Sequence, residues 1–271
     1  MTVLTKLKQA AKRATGRSLP RLLSVKDAFH LSPNMIRVVF AGPELDGFPV
    51  GREGGNCKLL IPEAGESKEA FAQRLIEGGQ MLKRTYTVRA YDETVQELTI
   101  DFVDHGGTGP AGAWAAQAKP GSFLGFAGPS QPKVTHFEAD WYLVAADLSA
   151  LPVAAAALEA MPREAKGVAI FEVPSKEDQI QIDMPPGIET HWLIHSDPHQ
   201  ESTAQIDFVR ALEWPDGRVQ TCIAGEQSVI RAMRQYVLVD RKTPRSDAYI
   251  AGYWKIGLVE EEHQALKRAE S

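Results

Sequence analysis

The sequence predicts two domains of different class, an antiparallel β-sheet or barrel followed by a mostly parallel α/β layer. Three observations predict it. A length of 271 residues is more than a single domain usually takes. The first half is cut into short β-rich runs by Gly, Pro and Asn turns, which is antiparallel patterning. After Pro129 strands and helices alternate, the rhythm of βαβ units on a parallel sheet. The first domain is placed at residues 20–130 and the second at 139–271, joined by a polar, turn-prone stretch and preceded by a basic extension over 1–19.

That extension sets Lys6, Lys8, Lys12, Arg13 and Arg17 among Leu4, Leu7 and alanines at roughly helical spacing. It reads as a solvated amphipathic cap, with membrane-surface contact as the alternative. Strands follow at 22–29 and 35–40 around a Ser32-Pro33-Asn34 turn, then a loop at 42–49 and a strand at 57–62. Residues 63–83, centred on 68–76, form a helical excursion. A strand at 84–89, another at 95–103, a helix at 109–118 and a strand at 121–127 complete the first domain. In the second, strands at 141–145, 167–173, 191–195 and 219–224 alternate with helices at 151–161, 204–212 and 226–240. A strand at 248–251 and a helix from 260 to 267 close the chain.

The stretch with chemistry is Lys83-Arg84-Thr85-Tyr86-Thr87-Val88-Arg89. In a strand Arg84, Tyr86 and Val88 share one face, and Thr85, Thr87 and Arg89 the other. An Arg fork suits a phosphate and a Tyr offers a flat face to an aromatic ring, so the stretch reads as a flavin platform. An ordinary solvated edge strand has the same composition. Further on, Asp101-Phe102-Val103-Asp104-His105-Gly106-Gly107-Thr108-Gly109-Pro110-Ala111-Gly112-Ala113-Trp114 reads as a strand end, a glycine-rich turn and a helix start. Glycines allow close approach of the backbone, and a helix N-terminus attracts anions. Arg84 and that turn could hold a pyrophosphate between them.

These two motifs, with Ala146-Asp147-Leu148-Ser149-Ala150-Leu151-Pro152, Ala224-Gly225-Glu226 and Gly252-Tyr253-Trp254-Lys255, resemble the siderophore-interacting protein family. Its members are flavin-dependent ferric-siderophore reductases related to the ferredoxin reductases. The resemblance runs in order from about Val25 to the C-terminus. It implies an FAD-binding β-barrel domain and a Rossmann-like NAD(P)H-type domain. It also implies a ferric siderophore as substrate, with NADH, NADPH or ferredoxin as electron donor. By motif, Arg84 would bind the flavin pyrophosphate, Tyr86 would pack on the isoalloxazine and Thr87 would lie near N5. Thr85, Val88, Arg89, Asp101, Phe102, Val103, His105, Thr108, Gly109, Pro110, Ala111, Gly112 and Trp114 would complete the cofactor site. Asp147, Tyr253 and Trp254 are expected to serve the cofactors from the second domain. Lys255, with Lys267 or Arg268, would steer an anionic chelate.

Other classes are disfavoured. A net charge of −5 argues against general nucleic-acid binding. No apolar run is long enough to cross a bilayer and no secretory leader is evident, so a cytoplasmic protein without stable membrane insertion is expected. Cys57 and Cys222 have no ligand spacing for zinc or an iron–sulfur cluster, and Cys222 reads as a buried structural thiol. His191 and His195 lack metal-ligand company. The end of the first strand of the second domain lacks the G-x-G-x-x-G fingerprint and carries Asp147 instead.

Overall fold

The computed structural model describes residues 20–104, 106, 109–260, 262 and 265. The expected basic extension over 1–19, and His105, Thr108, Lys267 and Arg268, lie outside the described residues. The chain forms two compact units. One comprises the described residues through Phe29 together with Ile36–Gln131. The other comprises His30–Met35 together with the residues from Pro132 onward.

The first unit is a seven-stranded sheet with β1 (Arg21–Ser32), β2 (Met35–Ala41), β3 (Asn56–Ile61), β4 (Leu82–Thr87), β5 (Ala90–Asp92), β6 (Glu97–Val103) and β7 (Phe123–Ala127). Its order is β4-β3-β7-β1-β2-β6-β5, with antiparallel pairing of β1 with β7, β3 with β4 and β7, and β5 with β6. Strict alternation builds the core. Ile36, Val38 and Phe40 of β2 and Leu98, Ile100 and Phe102 of β6 point inward, where they meet Leu59, Val88 and Phe126. The sheet curls into a half-barrel. Beyond β4 the Arg89 N–H donates to the Thr99 carbonyl of β6 at 3.0 Å, which joins strands far apart in the sheet order.

Helix α1 (Lys68–Glu77) is shorter than the expected excursion because its ends are chemically marked. The Ser67 side chain accepts the Ala70 N–H, and Gly78 turns the chain at φ +71. Its Phe71 and Leu75 bury against Leu22 and Leu60. Helix α2 (Pro110–Ala116) is also shorter than expected.

The second unit is a five-stranded parallel sheet of β8 (Trp141–Asp147), β9 (Lys166–Val173), β10 (Gly187–Ile194), β11 (Val219–Glu226) and β12 (Ala248–Trp254), ordered β10-β9-β8-β11-β12. Helices α3 (Leu151–Ala160), α4 (Ala204–Ala211) and α5 (Gln227–Arg234) connect them. The helix expected over 226–240 becomes a π-helical turn from Gln235 to Asp240. From β8 the chain winds outward through β9 to β10, then returns to the other side of β8 as β11. The switch point therefore lies between β8 and β11, and a ligand crevice is expected outside their carboxyl ends.

Candidate functional site

In the first unit, the Arg84-to-Thr87 stretch lies on β4, at the edge of the sheet order. Its register places Tyr86 opposite Cys57, Arg84 opposite Leu59 and Thr85 opposite Lys58. Tyr86 is half-buried and its ring lies 4.5 Å from that of Phe102, which in turn lies 5.7 Å from Trp114. Arg84 is half-buried, and its Nη1 donates to the carbonyl of Lys83 at 2.8 Å. Thr87 is buried. Thr85 faces the other way, where its hydroxyl accepts from the Lys58 ammonium.

Helix α2 opens at Gly109 with φ +81 and no side-chain cap, and Pro110 follows in the first turn. Gly112 lets it lie close to β6, since a Cβ there would sit 3.1 Å from the Val103 carbonyl. An uncapped helix start, a half-buried Arg on β4 and a firmly backed Tyr fit the diphosphate and ring of FAD.

Several expected cofactor contacts need correction. Val88 and Phe102 are fully buried in the core, so their side chains support the site from behind. Ala111 is buried and Trp114 packs on Phe40 and Phe102. Asp101 is buried with its carboxylate spanned by Arg37, from Nε at 2.7 Å and from Nη2 at 2.8 Å, and Arg89 Nε approaches to 3.8 Å. Asp101 therefore ties β2 to β6 on the outer face of the sheet. Arg37 was not foreseen, because its partner is set by strand pairing and not by any local motif.

In the second unit, the carboxyl ends of β8, β9 and β11 carry the acids Asp147, Glu172 and Glu226. Asp147 Oδ1 accepts from the Ser149 N–H at 2.9 Å, the Ser149 hydroxyl at 2.6 Å and the Ala150 N–H at 3.2 Å. Its Oδ2 accepts from the Trp254 indole at 2.7 Å. The Glu226 N–H also donates to this carboxylate, and burial still pushes the Asp147 carboxyl above its ordinary range. Gly225, at φ +152, passes so close that a Cβ would lie 2.6 Å from Asp147 Oδ2.

Glu226 caps α5, accepting from Ser228 N–H at 2.6 Å and Val229 N–H at 3.3 Å, and it reaches Ile256 N–H at 3.3 Å. Glu172, opposite Asp147 in the β8–β9 register, is buried with Ser202 at 2.8 Å, and burial pushes it up as well. Asp147 and Trp254, both foreseen at the cofactors, hydrogen-bond to each other. Tyr253 shares a 3.1 Å hydrogen bond with Tyr249, and Lys255 follows β12.

Cys222 is buried on β11 and its thiol is pushed up to about 12 by burial, which removes it as a nucleophile near neutrality. His191 pairs with Glu189 and His195 Nε2 bonds the Gln200 carbonyl.

A curled antiparallel sheet with this Arg-Thr-Tyr-Thr strand, followed by a parallel sheet with a switch-point crevice, defines a flavin-binding reductase of the ferredoxin-reductase class. The chain belongs to the siderophore-interacting protein family, which matches residues 139–257, while residues 24–133 match the siderophore-interacting FAD-binding domain. It is 35% identical over 254 residues to the ferric vibriobactin reductase ViuB of Vibrio cholerae, covering 90% of this chain and 93% of that one. The NADPH-dependent ferric-chelate reductase of Escherichia coli is 28% identical, covering 86% and 92%. The crystal structure of the siderophore-interacting protein SipS from Aeromonas hydrophila superposes with a TM-score of 0.81 at 30% identity, covering 93% of this chain and 99% of that one. Ferredoxin-NADP+ reductase from Plasmodium falciparum shares the fold at a TM-score of 0.64 and 12% identity, covering 86% and 96%.

Proposed function

We propose that this chain is an FAD-dependent ferric-siderophore reductase that draws on a reduced pyridine nucleotide and releases iron by reducing it. The observation that carries this reading is the match of both halves of the chain, in order, to the two domains of one family. FAD, when bound, supplies a carrier that accepts two electrons together and passes them on singly. In the first unit Arg84 and the start of α2 would hold its diphosphate, and Tyr86 and Thr87 would serve its ring. Phe102 and Trp114 hold the Tyr86 ring in place by packing behind it. No acid, base or nucleophile from the protein is needed, because electron transfer to Fe(III) breaks no covalent bond in the chelator. The ferrous product carries less charge and is held less tightly by hard oxygen donors. Lys255 is assigned to attract anionic chelates.

Ferredoxin is a second possible source of electrons in this reading. The two buried free thiols suit a reducing compartment, and we place the protein in the cytoplasm. Among the described residues no helix is long and apolar enough to cross a membrane.

The test is spectroscopic. The FAD-loaded protein should bleach under excess NADH or NADPH, or dithionite, and regain its oxidised spectrum when a ferric siderophore is added, with Fe(II) trapped by a ferrous-specific chelator. A protein that remains colourless after incubation with excess FAD would sink the reading.

A further inference from the structure

The loop between β2 and β3 ends in a tight turn, Arg52-Glu53-Gly54-Gly55, whose backbone is fixed against β4. The Gly55 N–H donates to the Arg52 carbonyl at 2.9 Å, the Gly54 N–H to the Val88 carbonyl at 2.8 Å and the Val88 N–H to the Gly55 carbonyl at 2.9 Å. Gly54 stands at φ +78, and a Cβ on Gly55 would meet the Ser130 carbonyl at 2.4 Å, so the path of the turn depends on both glycines. The turn carries the pairing of β3 with β4 one residue on, past the Asn56–Thr87 pair. With Arg84 at the flavin diphosphate and Tyr86 and Thr87 at its ring, this places the turn at the ring end of the platform. Arg52 is half-buried there, and its Nε is buried with no hydrogen-bond partner among the described residues. Glu53, next in sequence, is turned to the Tyr91 N–H at 3.3 Å. A buried donor left without an acceptor is unfavourable, so a held guanidinium with one points to an acceptor that the chain itself does not supply.

We propose that Arg52 is a further flavin-contacting residue, whose Nε–H donates to an acceptor atom of the bound ring and whose charge tunes the flavin's reduction potential. This rests on the reductase reading given above. The isoalloxazine carries carbonyl oxygens and ring nitrogens that accept hydrogen bonds. Reduction by two electrons from the pyridine nucleotide leaves that ring more negative. A fixed cation beside it favours the more negative form, so Arg52 raises the potential and draws electrons from the donor onto the flavin. Arg84 and Arg52 then divide the labour along one strand pair, the first holding the nucleotide and the second setting the electronics of its ring.

The experiment is a redox titration of the FAD-loaded protein against reference dyes. Arg52→Gln, which removes the charge, should weaken binding of reduced relative to oxidised flavin by about tenfold, a potential lower by about 30 mV for this two-electron couple. Arg52→Lys keeps the charge without the planar fork and should recover part of that shift. A residue that only braced the turn would lower the melting temperature of both variants and leave the potential where it is. A second measurement uses wild-type protein labelled with nitrogen-15, so that no variant has to fold. The Arg52 Nε–H signal, assigned through its backbone, should move downfield when FAD binds and exchange with solvent about fivefold more slowly, the scale of one net hydrogen bond.

An unchanged potential in Arg52→Gln, or an Nε–H signal indifferent to FAD, would overturn the proposal. So would an Arg52→Gln protein with the wild-type potential that is reoxidised more slowly by an anionic ferric chelate, since Arg52 would then be a substrate contact. Failure of the parent reading is separable. It would appear as FAD-loaded, dithionite-reduced protein that does not pass electrons to a ferric siderophore, whatever the Arg52 signal and the potentials report.

Discussion

Tyr86 and Asp101 illustrate two kinds of residue that look alike in a strand pattern. Tyr86 presents a half-buried ring backed by Phe102, which would offer a flavin area and flatness. Tyr86→Phe should hold FAD within about threefold of wild type, while Tyr86→Ala should weaken it by roughly tenfold to a hundredfold, read by flavin fluorescence titration. Asp101 serves the scaffold. Its side chain is 2% exposed and gripped by Arg37 in a two-point contact, with Arg89 close by. Asp101→Ala removes the two-point contact with Arg37 and the nearby Arg89 pairing and should cost about 2–4 kcal/mol in urea unfolding. A stability unchanged within error would show that the contact is dispensable.

At the scale of elements, stability in the second unit is concentrated on acids with opposite titration behaviour. Asp178 is buried and accepts from Ser32 Oγ at 2.7 Å, Asn34 N at 2.9 Å, Asn34 Nδ2 at 2.8 Å and Ser175 Oγ at 2.9 Å. Its net shift is downward because these donors outweigh burial. Asp247 is held down by the two-point Arg218 contact at 2.7 and 2.9 Å. A carboxyl lowered in the folded state adds stability above its unfolded value and loses it as pH falls through the folded one. Asp147 and Glu172, raised by burial, have the reverse sign, since their folded-state stabilisation exists only at low pH and fades as pH rises. Urea midpoints measured from pH 7 down to 3 should therefore fall in wild type, and fall less steeply in Asp178→Asn and Asp247→Asn. Equal slopes in all three proteins would refute the assignment.

The same scale shows what could be read from the sequence. Alternation marks β2 and β6, whose two faces differ, while a continuous apolar run marks β8, buried on both faces of the parallel sheet. Helix ends were less legible. Ser67 and Gly78 trim α1, and the turn at Gln235 changes the hydrogen-bonding pattern of the last long helix. Arg84, Tyr86 and Thr87 were legible as one candidate platform because they are local neighbours on β4. The Asp147–Trp254 bond was not, since its partners lie 107 residues apart and meet only through the sheet order.

For the whole molecule, charge decides how a substrate arrives. The chain carries a net charge of −5, which repels an anionic ferric chelate at long range. Screening shortens that field to about 8 Å at physiological salt, so a nearby cation can dominate the final approach. Lys255, just past the end of β12 and beside Trp254, is the described cation assigned to that task. The two influences respond to salt in opposite directions. If the local cation governs, adding salt slows reoxidation of the reduced protein by an anionic chelate, and if the net charge governs, salt speeds it. Wild type should slow by roughly two- to fivefold between low and physiological salt, and Lys255→Gln should show a flat or rising dependence. Stopped-flow reoxidation of dithionite-reduced protein over a salt series measures both slopes directly. A neutral ferric chelate should show little dependence in either protein, which separates steering from any general effect of salt on the fold. Identical slopes in wild type and Lys255→Gln would remove Lys255 from the path of the substrate.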